Sequence, residues 1–134
     1  MIDTTDIDRW LAGYLAAWRS DDPAQIAALF TDDARYYIAP HREPLVGPAA
    51  VADWWSGMGE SHLPWTFEYD IVAREGDLHV VRAITRYPEG TNGETRPTEF
   101  RNLWLVTLAD GDRARVFIEY YVEVDEARSE ATPA

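Results

Sequence analysis

The chain has 134 residues and no cysteine, which excludes disulfides, thiolate nucleophiles and cysteine-held metal sites. No apolar run approaches the length of a membrane span. The opening MIDTTDIDRW lacks the basic region and apolar core of a secretory leader, so the expected location is the cytoplasm. Positive charge is scarce: 12 basic residues against 24 acidic ones leave a net charge of −12. That field repels nucleic-acid phosphates and anionic lipid headgroups, and neither nucleic acid nor a membrane is an expected partner. A phosphate-binding glycine loop, a nucleophilic-serine signature, repeats and low-complexity tracts are all missing. His41, His62 and His79 show no i, i+4 pairing and no HxH or HExxH pattern, so no metal is expected. The pairs Asp21-Asp22 and Asp32-Asp33 flank a predicted helix, where capping and solvation explain them better than Mg²⁺.

What is present is a strong change of periodicity. Ile7, Trp10, Leu11, Tyr14, Leu15 and Trp18 recur at helical spacing, with Thr4 and Thr5 as N-cap candidates. Asp22-Pro23-Ala24-Gln25 has the form of N-cap, N1 proline and a reaching N3 glutamine, followed by Ile26, Leu29 and Phe30 on one face. ARYYIAP predicts a strand stopped by Pro40. Gly47-Pro48 opens a third helix carrying Val51, Trp54, Trp55 and Met58, ended by Gly57 and Gly59. From Trp65 onward the period is two, with Trp65, Phe67, Tyr69 and Ile71 opposite Thr66, Glu68 and Asp70. Three more strands are expected near 77–87, 98–108 and 114–124. The expected class is α+β: three N-terminal helices on one face of a strongly curved, mostly antiparallel mixed sheet, as a single domain over 1–126 with a disordered tail at 127–134. The connection PEGTNGETRP is longer than a tight hairpin needs and is either a lid or a solvated link.

In this order, YLAAWRSDDPAQIAALFTDDA, EPLVGPAAVADWW and DGDRARVFIEYY give the chain a resemblance to the nuclear transport factor 2-like superfamily, which includes ketosteroid isomerases and SnoaL-like polyketide cyclases. The resemblance covers nearly the whole chain. It implies a cone-shaped barrel enclosing a deep pocket, commonly in a homodimer, and leaves the reaction open, because one fold hosts many chemistries. Tyr14 falls where the isomerases carry the tyrosine that donates to the substrate oxyanion. Their general base falls on Ile38 and their protonated aspartate on Trp104, so that mechanism is not carried over. Glu119 falls where the epoxide hydrolases and cyclases of the superfamily place an acidic residue, although the aspartate that often ends that motif is Val122 here. The Arg-x-Asp element of the epoxide hydrolases has no counterpart, since Arg82 is followed two residues later by Ile84.

Strand parity puts Phe117, Glu119 and Tyr121 on one face and Val116, Ile118, Tyr120 and Val122 on the other. With the first set turned inward, the expected site holds Glu119 and Tyr14 as catalytic residues. Trp18, Ile38, Trp54, Trp55, Trp65, Phe67, His79, Tyr87, Asn102, Trp104, Phe117 and Tyr121 are expected to bind substrate. Of the adjacent Trp54 and Trp55, one is expected to face the pocket, because neighbours on a helix diverge by about 100°. Desolvation should raise the Glu119 pKa and suit it to proton transfer near neutrality. The expected ligand is a small apolar or polycyclic molecule, the expected chemistry cyclisation, dehydration, isomerisation or epoxide opening, and no cofactor is required. The outer face, with Val80, Ile84, Leu103, Leu105, Val116, Ile118 and Tyr120, is a large apolar patch that predicts a homodimer. The rival reading makes Glu119 a structural buried acid and Tyr14 part of an ordinary core stripe, in a non-catalytic ligand-binding or dimeric assembly module.

Overall fold

A computed structural model describes residues 2–58, 64–88, 98–109 and 112–124. Residues 89–97 of the long connection, His62, Gly59 and the tail at 127–134 lie outside the described residues.

The first helix, α1 (Thr5–Ser20), buries Ile7, Trp10, Leu11, Tyr14 and Ala17 along one stripe. Its N-cap falls on an expected residue but is not made by that side chain. Thr4 occupies the N-cap without a side-chain cap, its hydroxyl donating instead to Asp8 Oδ2 at 2.8 Å, and Asp3 Oδ1 accepts from the Thr5 amide at 3.0 Å. Asp21 ends the helix in the left-handed region at φ 55°. In α2 (Pro23–Ala27), Asp22 caps as expected, accepting from the Ala24 amide at 2.9 Å, whereas Gln25 Oε1 takes the Ser20 hydroxyl at 2.8 Å rather than reaching back to the cap. Leu29 and Phe30 do not extend the helix. The Leu29 carbonyl accepts both the Trp10 indole at 2.9 Å and the Ala114 amide at 2.8 Å, which hands the chain to the sheet.

Strand β1 (Phe30–Tyr37) therefore begins earlier than ARYYIAP suggests, with Phe30 already opposite Ala114. The two-residue strand β2 (Leu45–Val46), which has no signal in the sequence, pairs with Tyr36 and Arg35. Gly47 follows at φ 88°, a conformation that strains any residue with a Cβ, and its amide bonds to Ala34 at 2.8 Å before Pro48 opens α3 (Pro48–Met58). Strands β3 (Thr66–Glu75), β4 (Leu78–Tyr87), β5 (Thr98–Ala109) and β6 (Arg113–Val124) follow in the expected places.

The result is the expected α+β fold, three helices on a mixed six-stranded sheet of order β2-β1-β6-β5-β4-β3. Every pairing is antiparallel except β1 with β6, and the sheet stays open, with β2 and β3 at its edges. Register shifts at Ile71/Ala73 and Thr107/Leu108 bend the long strands. The core lies between helices and sheet, where Trp10, Phe30, Trp104 and Phe117 are almost fully buried. None of the described helices is long and apolar enough to cross a membrane. On the outer face Arg82 pairs with Asp70 at 2.7 Å, and Arg86 joins Glu68 and Glu99 at 2.7 and 2.9 Å. Arg82 is thus committed to a surface ion pair.

Candidate functional site

Register decides what each strand turns inward. Trp104 lies opposite Glu119, Asn102 opposite Tyr121 and Thr85 opposite Phe100, so these six side chains form one patch across β4, β5 and β6. Above it α1 presents Tyr14 and Trp18, β1 presents Tyr36, and α3 presents Trp54 and Trp55. Between these layers lies a cavity of about 480 Å³, lined by these eleven residues together with Asp21, Ile38, Ala39, His41, Arg42 and Tyr87. The volume falls in the range of small-molecule pockets. Nine of the lining residues are phenylalanine, tyrosine or tryptophan, packed in groups around the cavity: Tyr14 meets Trp55 edge-on at 4.8 Å and Trp104 at 5.1 Å, Tyr36 lies 5.8 Å from Trp54, and Phe100 meets Tyr87 at 6.0 Å and Tyr121 at 5.8 Å.

Within this lining Glu119 is the acid on the sheet. Its Oε2 accepts from Asn102 Nδ2 at 3.2 Å and from the Trp104 indole N–H, and Asn102 Oδ1 in turn accepts the Thr85 hydroxyl at 2.9 Å. None of the described salt bridges includes Glu119. Burial pushes its carboxyl up to about 7, the two donors opposing that shift only in part. Tyr14 and Tyr36 share a hydrogen bond between hydroxyls at 2.9 Å, and the Tyr36 oxygen also accepts from Trp55 Nε1 at 3.3 Å. His41 and Arg42 are exposed where the loop between β1 and β2 borders the cavity. No described group of three or more His, Asp or Glu is arranged to hold a metal ion.

Of the residues expected at the site, Glu119, Tyr14, Trp18, Ile38, Trp54, Trp55, Tyr87, Asn102, Trp104 and Tyr121 line the cavity. Four others do not, and depth rather than direction is the reason. Phe117 points inward but is fully buried, stacked on Tyr36 at 4.5 Å and Tyr14 at 5.6 Å, so the tyrosines cover it. Trp65 stacks behind Trp18 at 3.9 Å and carries the Arg19 guanidinium over its ring at 3.9 Å. Phe67 stacks on Trp104 at 5.1 Å and meets Trp18 at 6.1 Å. His79 faces inward opposite Val106, one inward step along the sheet beyond Trp104, in the filled core. Trp54 and Trp55 both line the cavity, against the expectation of one, because its wall curves around the end of α3 between Tyr36 and Tyr14. Tyr36 and Phe100 were not among the expected site residues, whereas Thr85 shares the inward parity of His79 and Tyr87 and lines the cavity as that parity requires. The alternation Ala34, Tyr36, Ile38 and the parity of Phe100 with Asn102 carried the signal for the first two.

The fold is that of the nuclear transport factor 2-like class. Residues 11–124 match the model of the SnoaL-like domain, and the chain belongs to that family. No curated protein matches it in sequence. Solved structures share the fold at low identity. An epoxide hydrolase/cyclase-like enzyme, SalBIII, of pyran ring formation in the polyether salinomycin is 15% identical, with 91% of this chain and 95% of that one covered and a TM-score of 0.69. A ketosteroid isomerase-like protein from Erwinia carotovora atroseptica is 21% identical over 88% and 95% of the two chains, TM-score 0.64. An epoxide hydrolase from M. tuberculosis, described as LEH-like, is 18% identical over 88% and 84%, TM-score 0.62.

Proposed function

We propose that this protein is an enzyme that takes a small, mostly apolar, oxygen-bearing molecule into its aromatic cavity and rearranges it by proton transfer, without a cofactor. The observation that carries this reading is a carboxyl group, Glu119, held by two neutral N–H donors on the wall of an aromatic cavity, where burial raises it to about 7. Near neutrality such a group exists in both protonation states, as a general acid or base must. Tyr14 is the oxygen-binding donor in the arrangement where Tyr36 donates their shared hydrogen bond, because a phenol that accepts from a neighbouring hydroxyl becomes a stronger donor to a third group. Cyclisation, dehydration, isomerisation and epoxide opening all need this pair of functions, and the SalBIII enzyme of similar fold belongs to the epoxide hydrolase/cyclase-like group. The test is turnover of a panel of epoxides, hydroxy-ketones and polyketide-like substrates across pH. A rate that inflects near the Glu119 midpoint and is lost in Glu119→Gln supports the reading; unchanged turnover in that variant overturns it.

Assembly is a second part of the proposal, supported by exposed apolar side chains on the outer sheet face. Leu103 is 37% exposed, Tyr120 40% and Val122 67%, neighbours across β5 and β6 and beside the partly buried Leu105 and Ile118. A patch of this kind on a charged surface suits a second copy of the chain, with the Arg82–Asp70 and Arg86–Glu99 pairs at its rim. Sedimentation velocity at micromolar concentration should give a dimer, and Tyr120→Arg a monomer. A monomeric wild type rules the interface out.

A further inference from the structure

The hydrogen bonds around Glu119 are unevenly divided between its two oxygens. Thr85 and Asn102 are both buried, 4% and 8% exposed. The Thr85 hydroxyl donates to Asn102 Oδ1 at 2.9 Å, and an amide whose oxygen is engaged on that side turns its NH₂ to the other, where Nδ2 donates to Glu119 Oε2 at 3.2 Å. The Trp104 indole N–H donates to the same oxygen. An amide nitrogen and an indole nitrogen can only donate, so neither can receive a proton from the carboxyl. Oε1 takes no donor from the described residues. It is also not sealed away, since the only buried side-chain atoms without partners among those residues are the nitrogens of His79, and it therefore faces the cavity that Glu119 lines.

We infer that Thr85 is a positioning residue: acting through Asn102, and together with Trp104, it confines the Glu119 proton to Oε1, the one oxygen that meets the ligand. A proton on Oε2 would be driven against two N–H groups, whereas on Oε1 it points into the cavity. The ligand atom it meets is then a lone-pair acceptor, a carbonyl, ether or hydroxyl oxygen, while Glu119 is protonated. When Glu119 is ionised, the same oxygen receives a C–H or O–H proton. In the first case the proton passes from Oε1 to the ligand oxygen and leaves a carboxylate held by its two donors; in the second it returns to Oε1. The destination of the proton rests on the acid/base reading above; its placement does not.

The experiment therefore uses the full chain without substrate. The side-chain carboxyl of Glu119 is titrated by ¹³C NMR in the wild type, Thr85→Val, Thr85→Ser and Asn102→Leu. Valine keeps the shape of threonine and releases the amide, so the midpoint should rise by roughly one unit, the value of one lost hydrogen bond to an ionised group. Asn102→Leu should raise it by the same amount, the double variant should add nothing to either, and serine should restore the wild-type midpoint. Equal midpoints for the valine and serine variants, or shifts from Thr85 and Asn102 that add, would overturn the assignment; if Asn102→Leu does not fold, the valine–serine comparison decides alone. Should the midpoints move as expected while Glu119→Gln keeps full turnover, the acid/base reading fails and the proton placement stands.

Discussion

Glu119→Gln is expected to unfold at higher denaturant concentration than the wild type above pH 7, and to lose at least about a hundredfold in turnover. The two effects have one cause. In the folded chain the carboxyl titrates at about 7 rather than at its ordinary 4.5, because burial penalises the anion. Below the ordinary value both folded and unfolded chains carry the proton, and the group contributes nothing. Between 4.5 and about 7 the unfolded chain has ionised while the folded one has not, so the fold loses stability as pH rises through this window. Above it the penalty is complete and amounts to about 3 kcal/mol at most. Glutamine removes the ionisation and keeps the contacts, since its single oxygen accepts from Asn102 and Trp104 as Oε2 does and its NH₂ takes the place of Oε1 toward the cavity. A variant that is more stable at high pH and inactive marks a site that holds an unfavourable charge for use. Urea denaturation of both proteins at a series of pH values measures it, and a constant difference across the series would refute the proton-uptake argument.

The direction of this carboxyl was legible in the sequence, its surroundings only in part. A period of two fixes which residues of β4, β5 and β6 share a face, and Glu119, Asn102, Trp104 and Tyr87 point inward as parity requires. Parity does not fix depth. His79, Phe67 and Phe117 have the same direction and lie beneath or beyond the aromatic lining, because the bulk of Tyr14, Trp18 and Tyr36 decides where the cavity ends. Nor does periodicity reveal contacts far apart in the chain. The parallel pairing of β1 with β6 joins residues such as Tyr36 and Phe117, and β2 exists only because Leu45 and Val46 find an edge of β1. Alternation turns Tyr36 inward, but its role was not legible, because it comes from the hydroxyl of Tyr14 and the indole of Trp55, each about twenty positions away along the chain. The Thr85–Asn102 bond, by contrast, follows from a diagonal across an antiparallel pair, a neighbourhood within reach once register is known.

His79 should give the protein a second, opposite response to acid. Its side chain is 1% exposed and neither ring nitrogen has a hydrogen-bond partner. Burial holds its pKa below the ordinary 6.5, helped by the charge of Arg74 on β3; the carbonyls of Val106 and Asp77, outside bonding geometry, and the Asp6 carboxylate of α1 pull more weakly the other way. For a base whose folded pKa is depressed, the unfolded chain binds the proton first as pH falls. Stability is therefore intact above the ordinary value of 6.5 and declines below it until the folded value is reached. Glu119 acts in the reverse sense over the overlapping window, gaining stability as pH falls from about 7 toward 4.5. The carboxyls of Asp3, Asp33 and Glu99 are held below their ordinary values of 3.8, 3.8 and 4.5, so their losses come at still lower pH. Between neutrality and mild acid the wild type should thus show a shallow dependence in which two buried groups oppose each other. Glu119→Gln removes the gain and should leave stability falling with acid. His79→Leu removes an unsatisfied buried polar group, worth about 1 kcal/mol near neutrality, and should leave stability rising as pH drops. Denaturation curves for the two single variants that slope the same way across this window would show that at least one of the groups is not buried as described.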